Sequence, residues 1–233
     1  MKPFSLKRAS VRAVALCSLC SSLVSPMLAR PSSQWQHDPS GVPVIKGNQP
    51  VAVWSRDGQR CFEYPAHTVI VSPMVEVGSS IAVYPAALKC READPSTAIA
   101  ATCGAKNATK YAATFKRRGE AEWFSGLIGD VLVTDTGTGP DHRMLTLYHV
   151  ATGVKLGEFL DYSDPLELSK DQARLSFWIP SGRATKQNCG RYSEWLSMGL
   201  GALVEARVYV DLPQGKLHQT GQYRCSSRQA PIR

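Results

Sequence analysis

The chain is expected to fold as an all-β domain, an antiparallel meander that forms a sandwich or a small propeller-like body. Three observations carry this. Short runs of apolar residues recur with a period of two. Gly, Pro, Asp and Asn cluster between those runs. Only one stretch, Asn188 to Met198, has helical spacing. The runs amount to about a dozen strands beside one short helix, which makes the domain all-β.

Length and composition agree with a globular chain. At 233 residues there is room for one domain, or two small ones, with an apolar core. Apolar residues make up 43% and charged residues 20%, which excludes a disordered chain. The formal charge of +8 falls to +4 once Lys2, Lys7, Arg8 and Arg12 are set aside as part of a removable leader. The one basic run is Lys116-Arg117-Arg118, and no basic stripe is interleaved with aromatics, so nucleic acid is not an expected partner.

The leader is read as a signal peptide over residues 1–29. Four positive charges and no acid in residues 1–12 precede the uncharged AVALCSLCSSLV of residues 13–24. That apolar run is too short to span a bilayer, which takes about 20 residues, and no later stretch is longer, so no transmembrane segment is expected. Cleavage fits after Ala29 or after Ser22. Cys17 and Cys20 are read as small residues of the apolar run, since each follows Leu where a lipidated cysteine calls for a small neighbour. The expected location is periplasmic or secreted.

Residues 30–50, rich in Pro, Gly and Ser, read as an extended lead-in or linker, which leaves 51–228 as a single β domain. Val51 to Tyr64 alternates around Asp57-Gly58 and predicts a hairpin. His67 to Val71 and Ser80 to Tyr84 are strands, the second ended by Pro85. Residues 91–110 are less patterned and predict a stapled loop. Tyr111 to Phe115 and Glu122 to Ile128 are strands about Arg118-Gly119. Leu132 to Leu160 reads as strand, Gly/Pro-rich loop, strand, tight turn, strand. Asp161 to Pro165 is a turn, and Ala173 to Ile179 a strand that stops at Pro180. In the helix over 188–198, Asn188 is the expected cap, with Tyr192, Trp195 and Leu196 on one inner face. Leu203 to Val210 and Lys216 to Arg224 make a last hairpin.

Five cysteines remain after the leader: Cys61, Cys90, Cys103, Cys189 and Cys225. Export would oxidise them. The expected bridges are Cys90–Cys103, closing the loop between them, and Cys189–Cys225, pinning the tail. Spacing alone does not prove connectivity. Five is odd, and Cys61 is expected to be the remaining thiol, buried and inert beside Phe62. No Cys/His spacing of a zinc site is present, and no metal or cofactor is expected.

Three segments share one form of strand, polar Gly turn and strand. They begin at Val51-Ala-Val-Trp54, Leu145-Thr-Leu-Tyr148 and Arg207-Val-Tyr-Val210. LTLYHVATGVKL resembles a blade hairpin of β-propeller proteins, and the roughly 205 residues after the leader have room for about four or five blades. The tail region resembles that of uncharacterised secreted bacterial proteins, which implies no activity. Val131-Leu-Val133 followed by Asp135-Thr136-Gly137-Thr138 resembles the catalytic motif of aspartic proteases. That resemblance implies Asp135 as a catalytic carboxylate, which needs a second carboxylate to share one proton. The chain has a single such motif, so the second would come from a symmetric dimer. The family's accompanying hydrophobic-hydrophobic-Gly strand has only Met198-Gly-Leu200-Gly as its nearest counterpart. The favoured reading has Asp135 capping a loop shaped by Gly137, Gly139 and Pro140.

His142, Asp141 and His149 form no nucleophile–base–acid set, and no Gly-x-Ser-x-Gly elbow exists. The function expected from these features is a non-enzymatic, secreted or periplasmic module that binds a protein or cell-envelope component. Its expected contacts are Asp135, Asp141, His142, Arg143 and Tyr162. The alternative is a dimeric aspartic-type hydrolase using Asp135.

Overall fold

A computed structural model describes residues 34, 36–38, 45–74, 78–92, 113–115, 122–137 and 143–229. The leader, Cys103, Asp141, His142, Lys116-Arg117-Arg118 and most of the 91–110 loop lie outside them. The described elements are fourteen strands and one short helix, as the all-β expectation required.

The strands form three antiparallel sheets, each a meander of strands in chain order. The first sheet runs β1 (Gln36–His37), β2 (Ala52–Arg56), β3 (Gln59–Glu63), β4 (His67–Pro73), β5 (Ser79–Pro85) and β6 (Ala113–Phe115). The second holds β7 (Glu122–Ile128), β8 (Val131–Thr136), β9 (Met144–His149) and β10 (Lys155–Leu160). The third holds β11 (Ser163–Leu168), β12 (Arg174–Arg183), β13 (Leu200–Asp211) and β14 (Lys216–Gln229). The three hairpins of shared form are β2–β3, β9–β10 and β13–β14, one in each sheet. Asp57 (φ 47°) and Gly58 (φ 78°) both take positive φ in the first of these turns, the conformation that the right-handed strand twist favours in a two-residue hairpin.

The second sheet is the centre of the molecule because both its faces are apolar. Successive side chains of a strand point to opposite faces. On β8 and β9, Val131, Val133, Leu145 and Leu147 point one way and pack with Leu166, Leu175, Phe177, Val208 and Val210 of the third sheet. Leu132 and Tyr148 point the other way, with Leu127, and pack with Val53, Phe62, Val69, Ile81 and Val83 of the first sheet. Burial on both faces explains why VLV at 131–133 is a continuous apolar run rather than an alternating one. At about 25 cal/mol per Å² of apolar surface, each such side chain contributes roughly 1.5–3 kcal/mol before entropy is counted.

Several local expectations are corrected. The lead-in segment is more than a linker: Gln36 and His37 pair with Ser55 and Trp54, and Ile45 is fully buried in the core between the second and third sheets. The Asp161–Pro165 turn is mostly strand. Asp161 alone turns the chain, at φ 55°, and β11 begins at Ser163 and passes through a cis Asp164–Pro165 bond. Proline is tolerated because β11 is an edge strand, where a missing N–H need not break a ladder. β12 likewise continues through Pro180 to Arg183 by a register shift between Pro180 and Gly182.

The helix is shorter than expected. α1 spans Tyr192–Ser197, with Arg191 at the N-cap position and no side-chain cap. Asn188 closes the preceding turn instead, accepting from Thr185 N–H at 2.7 Å and donating to the Arg183 carbonyl at 3.2 Å. Trp195 is buried against Leu200, Ala202 and Val204, whereas Leu196 is 48% exposed, so a six-residue helix presents only one side of its turn to β13.

The bridges are Cys61–Cys90 and Cys189–Cys225, with Cα separations of 5.8 and 5.7 Å, inside the range a disulfide spans. The second was expected. The first corrects the Cys90–Cys103 assignment and the reading of Cys61 as a remaining thiol. Cys61 lies on β3, and the turns after β5 bring Cys90 back to it, a long-range contact that local spacing did not suggest.

Candidate functional site

Two arginine–carboxylate clusters meet at the same segment, Asp161 to Asp164 at the start of β11, from different sheets. The first contains most of the residues the sequence singled out. Asp135 is the last residue but one of β8 and Arg143 immediately precedes β9, facing each other near the loop between those strands. Arg143 Nε and Nη2 both donate to Asp135 Oδ2, at 2.9 and 2.8 Å. Nη1 donates to Asp164 Oδ2 and Nη2 to the Tyr162 hydroxyl, each at 2.5 Å. The guanidinium also lies over the Tyr162 ring, 4.5 Å from its centroid. Arg143 therefore ties the central sheet to the third sheet through one planar group, a use to which its fork of donors is suited.

The electrostatics follow from that geometry. Burial opposes the Arg143 charge, but hydrogen bonds to Asp135 and Asp164 outweigh it and hold the guanidinium above its ordinary range. Burial, with the nearby Asp135 charge, pushes the Tyr162 phenol well above its ordinary value, so it stays protonated. Two carboxylates thus meet here, but they are joined through a guanidinium. An aspartic-type mechanism joins them through a shared proton and a water, and that water would have to displace Arg143. Tyr162 was expected at a contact surface; it is only 1% exposed, and its ring and hydroxyl are taken up inside the fold.

The second cluster was not anticipated. Glu205 of β13 is fully buried. Arg224 Nε donates to its Oε2 at 2.7 Å, and Arg228 Nη2 donates to its Oε1 at 2.6 Å. The Ser163 hydroxyl donates to Oε1 at 2.5 Å. Arg224 also donates to the Asp164 carbonyl at 3.0 Å, and Arg228 to Ser163 Oγ at 2.7 Å. The register places Arg224 opposite Glu205 and Arg228 opposite Gly201, so both guanidiniums stand on one face of the sheet. A lone Glu in the alternating run LVEARVYV carries no signal of this, because its partners are about twenty residues away on a strand of unknown register.

That same outer face of β12–β14 continues as a ladder of cations and aromatics. Arg224 and Arg207 lie over the Trp178 ring, 4.4 and 5.6 Å from its centroid. Arg174 lies 5.1 Å over Tyr209, and Tyr209 stacks on His218 with centroids 4.9 Å apart. Arg207 pairs with Glu167, which Lys46 also approaches at 3.6 Å, and His218 meets Asp211 at 2.9 Å. Trp178, Tyr209, Arg207 and His218 are all half-exposed. The opposite face of β12 and β13 is apolar and packed, so on these strands the polar ladder is the side turned outward.

Among the described residues no group of three or more His, Cys, Asp or Glu is arranged to hold a metal ion, and no helix is long and apolar enough to cross a membrane. Comparison with protein families, curated proteins and solved structures finds no match to this chain.

Proposed function

We propose that the protein is a secreted or periplasmic module that binds a protein or cell-envelope component through the outer face of β12–β14. The carrying observation is the ladder of Trp178, Tyr209, His218, Arg174, Arg207 and Arg224 on a rigid sheet. Trp, Tyr and Arg are the residues that dominate binding energy at interfaces, because they combine large contact area with directed polar groups. A sheet face holds them without the ordering cost that a loop carries. Two disulfides support an oxidising compartment. The engagement of Asp135 by Arg143 supports a structural use of that carboxylate over the hydrolase alternative.

The test is retention of an envelope component on the immobilised, disulfide-bonded chain. Capture is expected to fall at least about tenfold in Tyr209→Ala and in Arg174→Glu, with unchanged circular dichroism. Equal capture by both variants contradicts the assignment to this face. Cleavage of peptides at acid pH that is lost in Asp135→Ala moves the function to hydrolysis.

A further inference from the structure

The two disulfides sit in unlike surroundings. Cys61 and Cys90 are both fully buried and pack with Ile70, Trp54, Tyr84 and Leu88. Cys189 is buried too, but its partner Cys225 is half-buried and lies on β14, the terminal strand of the third sheet. Thiol–disulfide exchange needs a thiolate to reach one sulfur, so access separates a labile bridge from an inert one.

What each bridge holds differs as well. Cys61–Cys90 lies against the first sheet, whose strands are paired on their own account. Cys189–Cys225 holds the segment 184–199, which joins β12 to β13 and contains α1. A helix of six residues without a side-chain cap is not stable alone, because nucleation costs more than one turn of hydrogen bonds returns. Packing must hold it, and that packing is slight. Trp195 is buried against Ala202 and Val204, in a cluster separate from the two cores between the sheets, while Met198 is exposed.

Polar contacts add little. Among the described residues, the hydrogen bonds of 185–199 run to members of the same segment, to Arg183 and to Cys225 itself. The grip of the fold on this segment therefore reduces to one indole and one bridge. Both act on the same strip, Ala202 and Val204 on β13 and Cys225 beside Val204 on β14.

We infer that Cys189–Cys225 is a redox latch: its reduction by a dithiol releases the segment 185–199 and uncovers the apolar strip of β13, while Cys61–Cys90 and the three sheets stay intact. A thiolate of the dithiol attacks Cys225 Sγ, the bond between the two cysteines breaks, and Cys189 leaves as a thiolate that takes up a proton. The second thiol then displaces Cys225, which is protonated in turn, and closes the dithiol's own disulfide. Two electrons and two protons pass from the dithiol to the cysteine pair. Oxidation of the pair reverses the step and docks α1 again. The latch does not depend on the binding reading above.

The test exposes the full, oxidised chain to increasing dithiothreitol, alkylates the thiols that appear and locates them by peptide mass. Cys189–Cys225 is expected to open at least about tenfold faster than Cys61–Cys90. Where only that bridge is open, hydrogen exchange is expected to speed at least about tenfold over 185–199 and to rise at the Tyr223–Gln229 end of β14, with the first and second sheets unchanged. Reoxidation is expected to restore the original pattern. The chain carrying both Cys189→Ser and Cys225→Ser should exchange like the reduced chain without any dithiol. Equal opening rates of the two bridges overturn the inference. So does unchanged exchange over 185–199 once the bridge is open, or faster exchange across all three sheets, which would make the bridge a staple of the whole fold. If the double variant does not fold, the bridge is likewise such a staple and the latch fails.

Discussion

The Asp135–Arg143 cluster and the Glu205–Arg224–Arg228 cluster hold the same segment at the start of β11, yet they differ in what each ion gives up. Asp135 keeps 14% of its side-chain surface in water, and one guanidinium serves two carboxylates. Glu205 keeps none, and two guanidiniums and a hydroxyl serve one carboxylate. A buried charge is tolerable only when its partners replace its hydration. The lesson is that the residue resembling a catalytic group joins two sheets near the surface, while an inconspicuous glutamate is the fully buried ion of the third sheet.

The largest effect should come from breaking the buried cluster. Glu205→Ala leaves Arg224 and Arg228 without their common partner, and a loss of about 3–5 kcal/mol is expected in urea unfolding. A loss below about 1 kcal/mol would mean the arginines find water and the two clusters are alike. Next, Cys225→Ser frees β14 from the turn before α1. A loss of about 2–4 kcal/mol is expected, with faster hydrogen exchange concentrated in β14 and α1. Faster exchange spread evenly over all three sheets would show that the bridge does not act locally on this strand.

The smallest effect concerns pH. The hydrogen bond from Arg207 holds the Glu167 carboxyl below its ordinary value of 4.5, with further help from Arg207 and Lys46 charges. A depressed folded value means the contribution is present above pH 4.5 and is lost as pH falls through the folded value. Stability should therefore decline on acidification below that point, and Glu167→Gln should flatten the decline. An unchanged slope in the variant would show that the outer-face ladder contributes nothing to folding.

The legible part of the fold was the part written locally. Asp57-Gly58 gave the β2–β3 hairpin, and the run VLV followed by Asp-Thr-Gly gave β8 and its loop, since turn chemistry and period-two patterning act over a few residues. What failed to show was non-local. Cys61 meets Cys90 only because β3 and the turns after β5 converge. Pro165 and Pro180 read as strand breakers, yet one lies on an edge and the other at a register shift. Ile45 looked like linker because its partners lie more than eighty residues downstream. Arg143 and Tyr162 were singled out, but as contacts; that their groups face inward follows from the second sheet having a neighbour on each side, which no single strand reveals. Comparison with Trp178, Tyr209 and His218 makes the same point, since each is an ordinary strand residue until the register of β12, β13 and β14 aligns them.

The most direct measurement is the unfolding free energy of Asp135→Ala beside the unaltered chain. A carboxylate that clamps two sheets should, on removal, cost about 1.5–3 kcal/mol, the range for hydrogen bonds to a charged group. Catalytic carboxylates are commonly held at the expense of stability, so their removal leaves a protein as stable as before or more so. A destabilised Asp135→Ala is the result this account predicts. An equally stable or more stable variant would contradict it and return Asp135 to the reading its sequence first invites.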